Sequence, residues 1–265
     1  MKATAPQRIV CLAAEAADWL WRIGAWDQVV GITAFFTPPA EAAAKPKVGG
    51  FSSVRFEEIA GLRPDLVVAF SDVQADPLAE LMRRGLAVLG TNQRTLAETE
   101  ATLRVLGRLV GHEAEAETQL TQFRERLAPV AAEAPRPRVY FEEWNEPLIS
   151  GIGWVGELIE RAGGEDIFAE LRTNRAASER VVSPEEVCRR DPQIILACWC
   201  GRPFNAEQIR ARRGWTQISA VRGGGIFEIP AENVLQPGFR LVYGYEQMKA
   251  LFARASTLTK NEPAI

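Results

Sequence analysis

The chain of 265 residues has one histidine, four cysteines and no long apolar run. A single histidine argues against hydrolysis by a histidine base and against a histidine-rich metal site. The cysteines (11, 188, 198 and 200) lack the spacing of a zinc site. No stretch approaches the ~20 apolar residues that a membrane-spanning helix needs. The net charge of −3 predicts no basic surface for nucleic acid. We therefore expect no metal site and no nucleic-acid partner.

The sequence does contain an internal repeat, because residues 56–69 align with residues 184–197 without a gap. Each copy has two adjacent glutamates, a proline and then an aliphatic run. The proline ends a short helix because its ring clashes with the preceding turn. The aliphatic run is typical of a parallel strand that is covered on both faces. Two copies of this helix-to-strand unit predict two similar lobes with a ligand cleft between them.

Strand and helix patterns alternate on both sides of a helical stretch. We predict an N-terminal α/β lobe over residues 1–94, a helical linker over 95–134 and a C-terminal α/β lobe over 135–265. Apolar residues at helical spacing between 113 and 132 indicate one long helix, which would span ~30 Å and join the lobes rigidly. The predicted fold class is α/β, with two doubly wound lobes whose parallel sheets are joined by this helix.

Aromatic residues recur where the predicted strands end, which is the edge at which open α/β sheets bind ligands. Together they would form a wide apolar surface for a large planar ligand, although core packing would explain any single one. The set consists of Phe35, Phe36, Phe51, Phe70, Trp144 and Trp199. Arg240 and Asn92 are candidates for polar contacts with the same ligand.

Glu57 and Glu185 occupy the same position in the two repeats, in the first turn of a predicted helix. The helix macrodipole favours acidic residues there and explains them without any function. Identical placement in both lobes would also suit ion pairs with arginines on two copies of a partner. We therefore treat both glutamates as candidate docking residues.

Many segments of the chain resemble those of the class III substrate-binding proteins of ABC importers, and most closely the cobalamin-binding (BtuF-type) family. The resemblance is carried by residues 8–10, 29–31, 38–39, 48–51, 57–69, 140–150, 163–164, 183–197 and 199–201. It implies two α/β lobes joined by a long helix and a non-enzymatic protein that captures cobalamin or a precursor between them. No catalytic residue and no cofactor of its own are implied.

The resemblance also implies roles for single residues. The docking glutamates of the family match Glu57 and Glu185, which would engage arginines of an ABC permease dimer. Its corrin-facing aromatics match Phe51, Phe70 and either Phe35 or Phe36. A tryptophan that the family carries before the second docking helix is absent here, near Arg180, and Trp144 and Trp199 would compensate for it.

Two other functions stay open. A ferric-siderophore or haem binding protein would need arginines at its ligand site, and Arg172, Arg175, Arg180 and Arg240 are candidates. A cytoplasmic corrinoid-related protein or enzyme would have no transport partner. No apolar signal segment precedes residue 8, so we expect a cytoplasmic protein if this is the whole chain and a periplasmic one if a signal was removed. In each case we expect a monomer.

Overall fold

The computed structural model describes residues 5–51, 53–131 and 135–260, with side chains described as far as residue 254. Its contacts divide the chain into two compact units. Unit 1 comprises Met1–Glu125 and Pro237–Phe239, and unit 2 comprises Arg126–Gln236 and Arg240–Ile265. Each unit is built on its own sheet of mostly parallel strands, so the predicted α/β class with two lobes is confirmed.

Unit 1 contains four parallel strands, β1 (Ile9–Cys11), β2 (Val29–Ile32), β3 (Leu66–Phe70) and β4 (Val88–Thr91). They are arranged in the order β2-β1-β3-β4. The α-helices are α1 (Ala14–Arg22), α2 (Phe56–Gly61), α3 (Ala75–Arg83), α4 (Leu96–Val110) and α5 (Glu113–Arg126), which reaches the boundary of the unit. Every residue of β3 is buried, as its unalternating aliphatic run predicts.

Unit 2 contains β5 (Arg138–Asn145), β6 (Leu148–Ser150), β7 (Glu165–Asp166), β8 (Ile194–Ala197) and β9 (Ile226–Glu228). Its α-helices are α6 (Gly153–Arg161), α7 (Pro184–Arg190), α8 (Ala206–Arg210), α9 (Ser219–Arg222), α10 (Ala231–Val234) and α11 (Leu241–Lys260). Strand β5 pairs in parallel with β7 and β8, and β8 pairs in parallel with β9. The carboxyl end of β5 turns back into antiparallel β6. This hairpin goes beyond the sequence prediction, because three residues give too short a pattern to indicate a strand.

Both copies of the repeat fold as a helix followed by a strand, α2 with β3 and α7 with β8, which confirms the prediction. Just before the proline of each copy, Arg63 and Asp191 adopt positive φ angles of 47° and 42°. The guanidinium of Arg8 donates to the carbonyl oxygen of Leu62 at 2.7 Å and to that of Arg63 at 3.1 Å. The guanidinium of Arg138 likewise donates to the carbonyl oxygen of Asp191 at 2.7 Å. Each repeat is thus tied to the start of the neighbouring strand, β1 or β5.

The helical stretch between the two sheets differs from the prediction. The side chain of Thr95 accepts a hydrogen bond from the backbone of Glu98 at the start of α4, and Gly111, with φ 77°, ends that helix. Helix α5 has 14 residues and ends at Arg126. The predicted continuation to Ala132 is not formed, because Pro129 disfavours helical geometry in the residue before it; Ala132 itself lies outside the described residues. Within the described part of the chain, no helix is both long and apolar enough to span a membrane.

Replacing Gly107 by alanine should destabilise unit 1. A Cβ atom at Gly107 of α4 would overlap the Cβ atom of Ala116 in α5, and overpacking of this kind costs about 1–3 kcal/mol. Gly61 in α2 is the matched control, because a Cβ atom there would meet nothing within 4 Å. Urea unfolding should show a lower free energy of unfolding for Gly107→Ala, and an unchanged or slightly higher one for Gly61→Ala. Adding Ala116→Gly should restore part of the loss, and equal effects of the two alanine substitutions would contradict this packing.

Candidate functional site

Four of the predicted ligand contacts lie in unit 1, at or near the carboxyl ends of β2 and β3. Phe35 follows β2 and is 55 % exposed, and its ring lies beside Gly50. Phe51 lies in the loop that follows and is half-buried. Phe36 and Phe70 are only 2 % and 7 % exposed. Ring surface at this edge of the sheet is therefore presented by Phe35 and Phe51.

The two buried phenylalanines have packing partners inside unit 1. The ring of Phe36 meets that of Trp26 edge-on, with 6.1 Å between the ring centres. The guanidinium of Arg94 lies 5.5 Å from the centre of the Phe70 ring and forms an ion pair with Asp72 at 3.0 Å. Phe36 and Phe70 therefore stabilise this edge of the sheet by packing and do not offer an open surface for stacking.

A buried glutamine, which no sequence pattern indicated, links two of the predicted aromatics. Gln74 is fully buried. Its Nε2 donates to the carbonyl oxygen of Phe51 at 2.7 Å, and its Oε1 accepts from the backbone N–H of Phe70 at 3.0 Å. The polar residues that follow β3 look like a surface turn in the sequence, so only the three-dimensional structure identifies this link.

Glu15 is a second buried polar residue of unit 1 that the sequence did not single out. It lies in the first turn of α1, directly after β1, and is 6 % exposed. Its Oε1 has no hydrogen-bond partner among the residues that the structure describes. Burial raises the pKa of this carboxyl group to about 8, because the charged form is poorly solvated. Glu15 is therefore mostly protonated at neutral pH.

The two predicted tryptophans of unit 2 have different environments. Trp144 in β5 is half-buried, its indole nitrogen donates to the carbonyl oxygen of Glu146 at 2.8 Å, and the guanidinium of Arg202 lies 4.7 Å from its ring centre. Trp199 follows β8 and is 4 % exposed, and its indole nitrogen donates to Oε1 of Glu142 at 2.8 Å. Trp144 thus presents the part of its ring that Arg202 leaves uncovered, whereas Trp199 belongs to the core of unit 2.

The partner of Trp199 is part of a buried ion pair. Glu142 is fully buried, and its two carboxylate oxygens accept from the guanidinium of Arg212 at 2.5 and 2.8 Å. The same guanidinium lies 4.5 Å from the ring centre of Trp215. A buried carboxylate needs such a partner, because an unpaired charge in the interior is strongly destabilising. This pair fixes the carboxyl half of β5 against the segment after β8.

Two of the four candidate arginines for an anionic ligand are already paired within unit 2. Arg172 forms ion pairs with Asp166 and Glu160, both at 2.9 Å. Arg180 is 1 % exposed and pairs with Glu143 at 2.7 Å. Neither guanidinium therefore offers a free positive charge.

The other polar candidates are more accessible. Arg240 is half-buried and its Nη2 donates to Oδ1 of Asn233 at 3.2 Å. Arg175 is exposed, and Asn92 is exposed directly after β4. Among the described residues, no three histidine, cysteine, aspartate or glutamate side chains cluster in a way that could hold a metal ion.

The two candidate docking residues occupy equivalent places, the second positions of α2 and α7. The side chain of Glu57 is 86 % exposed and forms an ion pair with Arg84 at 2.6 Å. Glu185 is exposed on the wall of a groove of about 960 Å³ in unit 2. Residues of the β5–β6 turn, of α7 and of the segment 212–214 line this groove. Both glutamates are thus available to an outside partner, but in different local surroundings.

Residues 9–233 of the chain match the family model described as periplasmic binding protein. A cobalamin-binding protein of Halobacterium salinarum (strain ATCC 29341 / DSM 671 / R1) is 31 % identical over 261 residues, which cover 93 % of this chain and 69 % of that protein. A vitamin B12-binding protein of Pectobacterium atrosepticum is 27 % identical over 202 residues, which cover 72 % of this chain and 71 % of that protein.

Solved structures with the same fold include the periplasmic vitamin B12 binding protein BtuF of Vibrio cholerae. It has a TM-score of 0.70 at 21 % identity and covers 96 % of this chain and 99 % of its own. The periplasmic heme-binding protein RhuT from Roseiflexus has a TM-score of 0.78 at 20 % identity, with 94 % and 99 % covered. At these identities the likeness concerns the fold alone.

Glu15→Gln should make the stability of the protein less dependent on pH. The carboxyl group loses its proton near pH 4.5 in the unfolded chain but only near pH 8 in the folded one. Ionisation therefore favours unfolding increasingly between these values, and the cost stays at its maximum above them. We expect the stability advantage of the variant over the wild type to grow by roughly 4 kcal/mol from pH 4.5 to pH 8, measured by urea unfolding. Glu113→Gln, at an exposed acid in the first turn of α5, should show no such trend; a constant difference for Glu15→Gln would refute the raised pKa.

Proposed function

Because the chain belongs to the periplasmic binding protein family, we propose that it binds a corrinoid, either cobalamin or a precursor, and delivers it to an ABC importer. At the level of class it is a substrate-binding protein of the ABC-importer type. The names of the cobalamin-binding and vitamin B12-binding relatives support the choice of ligand.

The observation that carries the proposal is the placement of aromatic ring surface at the carboxyl-end edges of both sheets. Phe35 and Phe51 present rings in unit 1, and Trp144 presents one in unit 2. A corrin ring is large and mostly apolar on its faces, so aromatic side chains bind it by burying area and by stacking. The three buried aromatics would contribute indirectly, by packing against the backbone that carries these rings; they are Phe36, Phe70 and Trp199.

The pairing of two of the four candidate arginines favours a ligand with few negative groups. The guanidinium groups of Arg172 and Arg180 are paired with carboxylates of the same unit, so they offer little to an anionic siderophore or to the carboxylates of haem. Arg240 and Asn92 suit the amide groups that surround a corrin ring, because both donate hydrogen bonds. Haem and ferric siderophores are therefore the competing ligands in the test below.

We propose a binding role without catalysis and without a resident cofactor, in a monomeric protein. The buried acids of the described residues are accounted for by the fold. Glu142 is paired with Arg212 and Asp18 with Arg22, and burial raises the pKa of Glu15 to about 8. The peptide N–H groups and aromatic rings at the sheet edges can hold a ligand, but none of them is a nucleophile.

Docking to a permease dimer is proposed to use Glu57 and Glu185. Both are exposed at helix starts, where a carboxylate can pair with an arginine of the partner. In unit 1 the permease arginine would replace Arg84, which already shows that Glu57 accepts a guanidinium. In unit 2 the groove beside Glu185 leaves room for the segment that carries such an arginine.

Purified protein should bind cyanocobalamin in preference to haem and to ferric siderophores, as measured by calorimetry and visible spectra. Phe51→Ala and Trp144→Ala should each weaken binding by about tenfold, because each removes one stacking contact. Val105→Ala is the matched control, since Val105 is an exposed apolar side chain of α4 and should leave the affinity unchanged. Absence of corrinoid binding at high micromolar concentration would overturn the proposed ligand.

Reversing charge at both docking residues should uncouple the protein from its importer. Glu57→Arg combined with Glu185→Arg should reduce the stimulation of ATP hydrolysis by a reconstituted cobalamin importer at least about tenfold, because two charge-assisted contacts become repulsive. Cyanocobalamin affinity should not change. Glu113→Arg is the matched control, because Glu113 is also an exposed acid at a helix start. Full stimulation by the double variant would show that docking does not use these glutamates.

A further inference from the structure

We infer that Gln74 is a positioning residue that holds the ring of Phe51 in place for the ligand. This inference rests on the proposed function only in naming the ligand, because the link itself is a feature of unit 1. Both ends of the Gln74 amide are used, one by the carbonyl oxygen of Phe51 at 2.7 Å and the other by the backbone N–H of Phe70 at 3.0 Å. A fully buried amide with both ends bonded acts as a cross-link between two backbone segments.

The turn after β3 is built so that Gln74 can reach back. Ser71 adopts a positive φ of 75°, a conformation that costs of order 1–3 kcal/mol in a residue other than glycine. Its hydroxyl accepts from the backbone of Val73 at 3.4 Å, and its carbonyl oxygen accepts from the backbone of Gln74 at 3.0 Å. This tight turn folds the chain under Phe70 and brings the side chain of Gln74 to the end of the strand.

The other end of the link is a loop that is held at its base and is closed around Phe51 by the backbone N–H of Gly50, which donates to the carbonyl oxygen of Ser53 at 2.9 Å. The backbone N–H of Ala34 donates to the carbonyl oxygen of Gly49 at 2.7 Å, and Gly49 forms an isolated bridge with Val54. Phe51 lies beyond these contacts, where the loop reaches the edge of the sheet. The amide of Gln74 therefore fixes the part of the loop that carries the half-buried ring.

Rigid support of this kind affects affinity because a mobile aromatic side chain must be ordered when the ligand binds. Phe70 is fixed independently, by its place in β3 and by the guanidinium of Arg94 5.5 Å from its ring. The two hydrogen bonds of Gln74 thus tie the loop that carries Phe51 to the end of strand β3. The predicted effect of losing Gln74 is a weaker contact through Phe51, with the rest of unit 1 intact.

Gln74→Met tests this inference, because methionine keeps the length of the side chain and removes the amide. Limited proteolysis with chymotrypsin, followed by mass spectrometry, should show that cleavage after Phe51 is accelerated up to about tenfold. This factor corresponds to the free energy of one lost hydrogen bond. Cleavage after Trp144 in unit 2 is the internal reference and should not change. The matched control is Gln93→Met, since Gln93 is a buried glutamine of the same unit whose amide donates to the carbonyl oxygen of Pro237.

Cyanocobalamin binding gives the second measurement. Gln74→Met should weaken binding by about three- to tenfold, which corresponds to the free energy of one aromatic contact. When Phe51→Ala is already present, Gln74→Met should weaken it by less than about twofold, because the two residues act through one ring. Unchanged cleavage after Phe51 would overturn the inference whether or not any ligand binds. Additive losses of affinity in the double variant would overturn it as well. Faster cleavage in a protein that binds no corrinoid would refute the proposed ligand while supporting the role of Gln74 in holding the loop.

Discussion

Each unit depends on one hydrogen-bonded junction between a turn and a strand. The guanidinium groups of Arg8 and Arg138 bond the carbonyl oxygens of the turns that contain Arg63 and Asp191. These turns have strained positive φ angles directly before a proline, and charge-assisted bonds offset the cost. The junction sets where β3 and β8 begin relative to β1 and β5.

The residues at the strand ends are held by buried polar groups rather than by apolar packing alone. In unit 1 the amide of Gln74 links Phe51 to Phe70. In unit 2 the carboxylate of Glu142 links Arg212 to Trp199. A directional bond fixes orientation as well as distance, whereas aliphatic contacts permit several arrangements. The half-buried rings of Phe51 and Trp144 are therefore carried by backbone that these polar groups help to hold in place.

The two copies of the repeat share their backbone but have different surroundings. Glu57 is paired with Arg84 on its own unit, whereas Glu185 lies on the wall of a groove. The repeat in the sequence correctly predicted the helix, the proline and the buried strand of each copy. It could not predict the surroundings, because Arg84 and the β5–β6 hairpin lie outside the repeated segment. The repeat therefore gives both glutamates the same position in a helix, but residues outside the repeat give them different neighbours.

The sequence by itself determined the α/β class and the two units and indicated aromatic residues near strand ends, because strand runs, prolines and repeats are local patterns. It overestimated α5, since the helical spacing of apolar residues up to Leu127 was extended past Pro129, and it treated six aromatic residues as one group. Only the tertiary structure decided which rings are exposed, since the burial of Phe36, Phe70 and Trp199 depends on neighbours distant in sequence. It alone revealed Gln74, Glu15 and the pairing of Arg172 and Arg180. Burial, pairing and protonation are set by surrounding groups, and the chain order of residues does not contain that information.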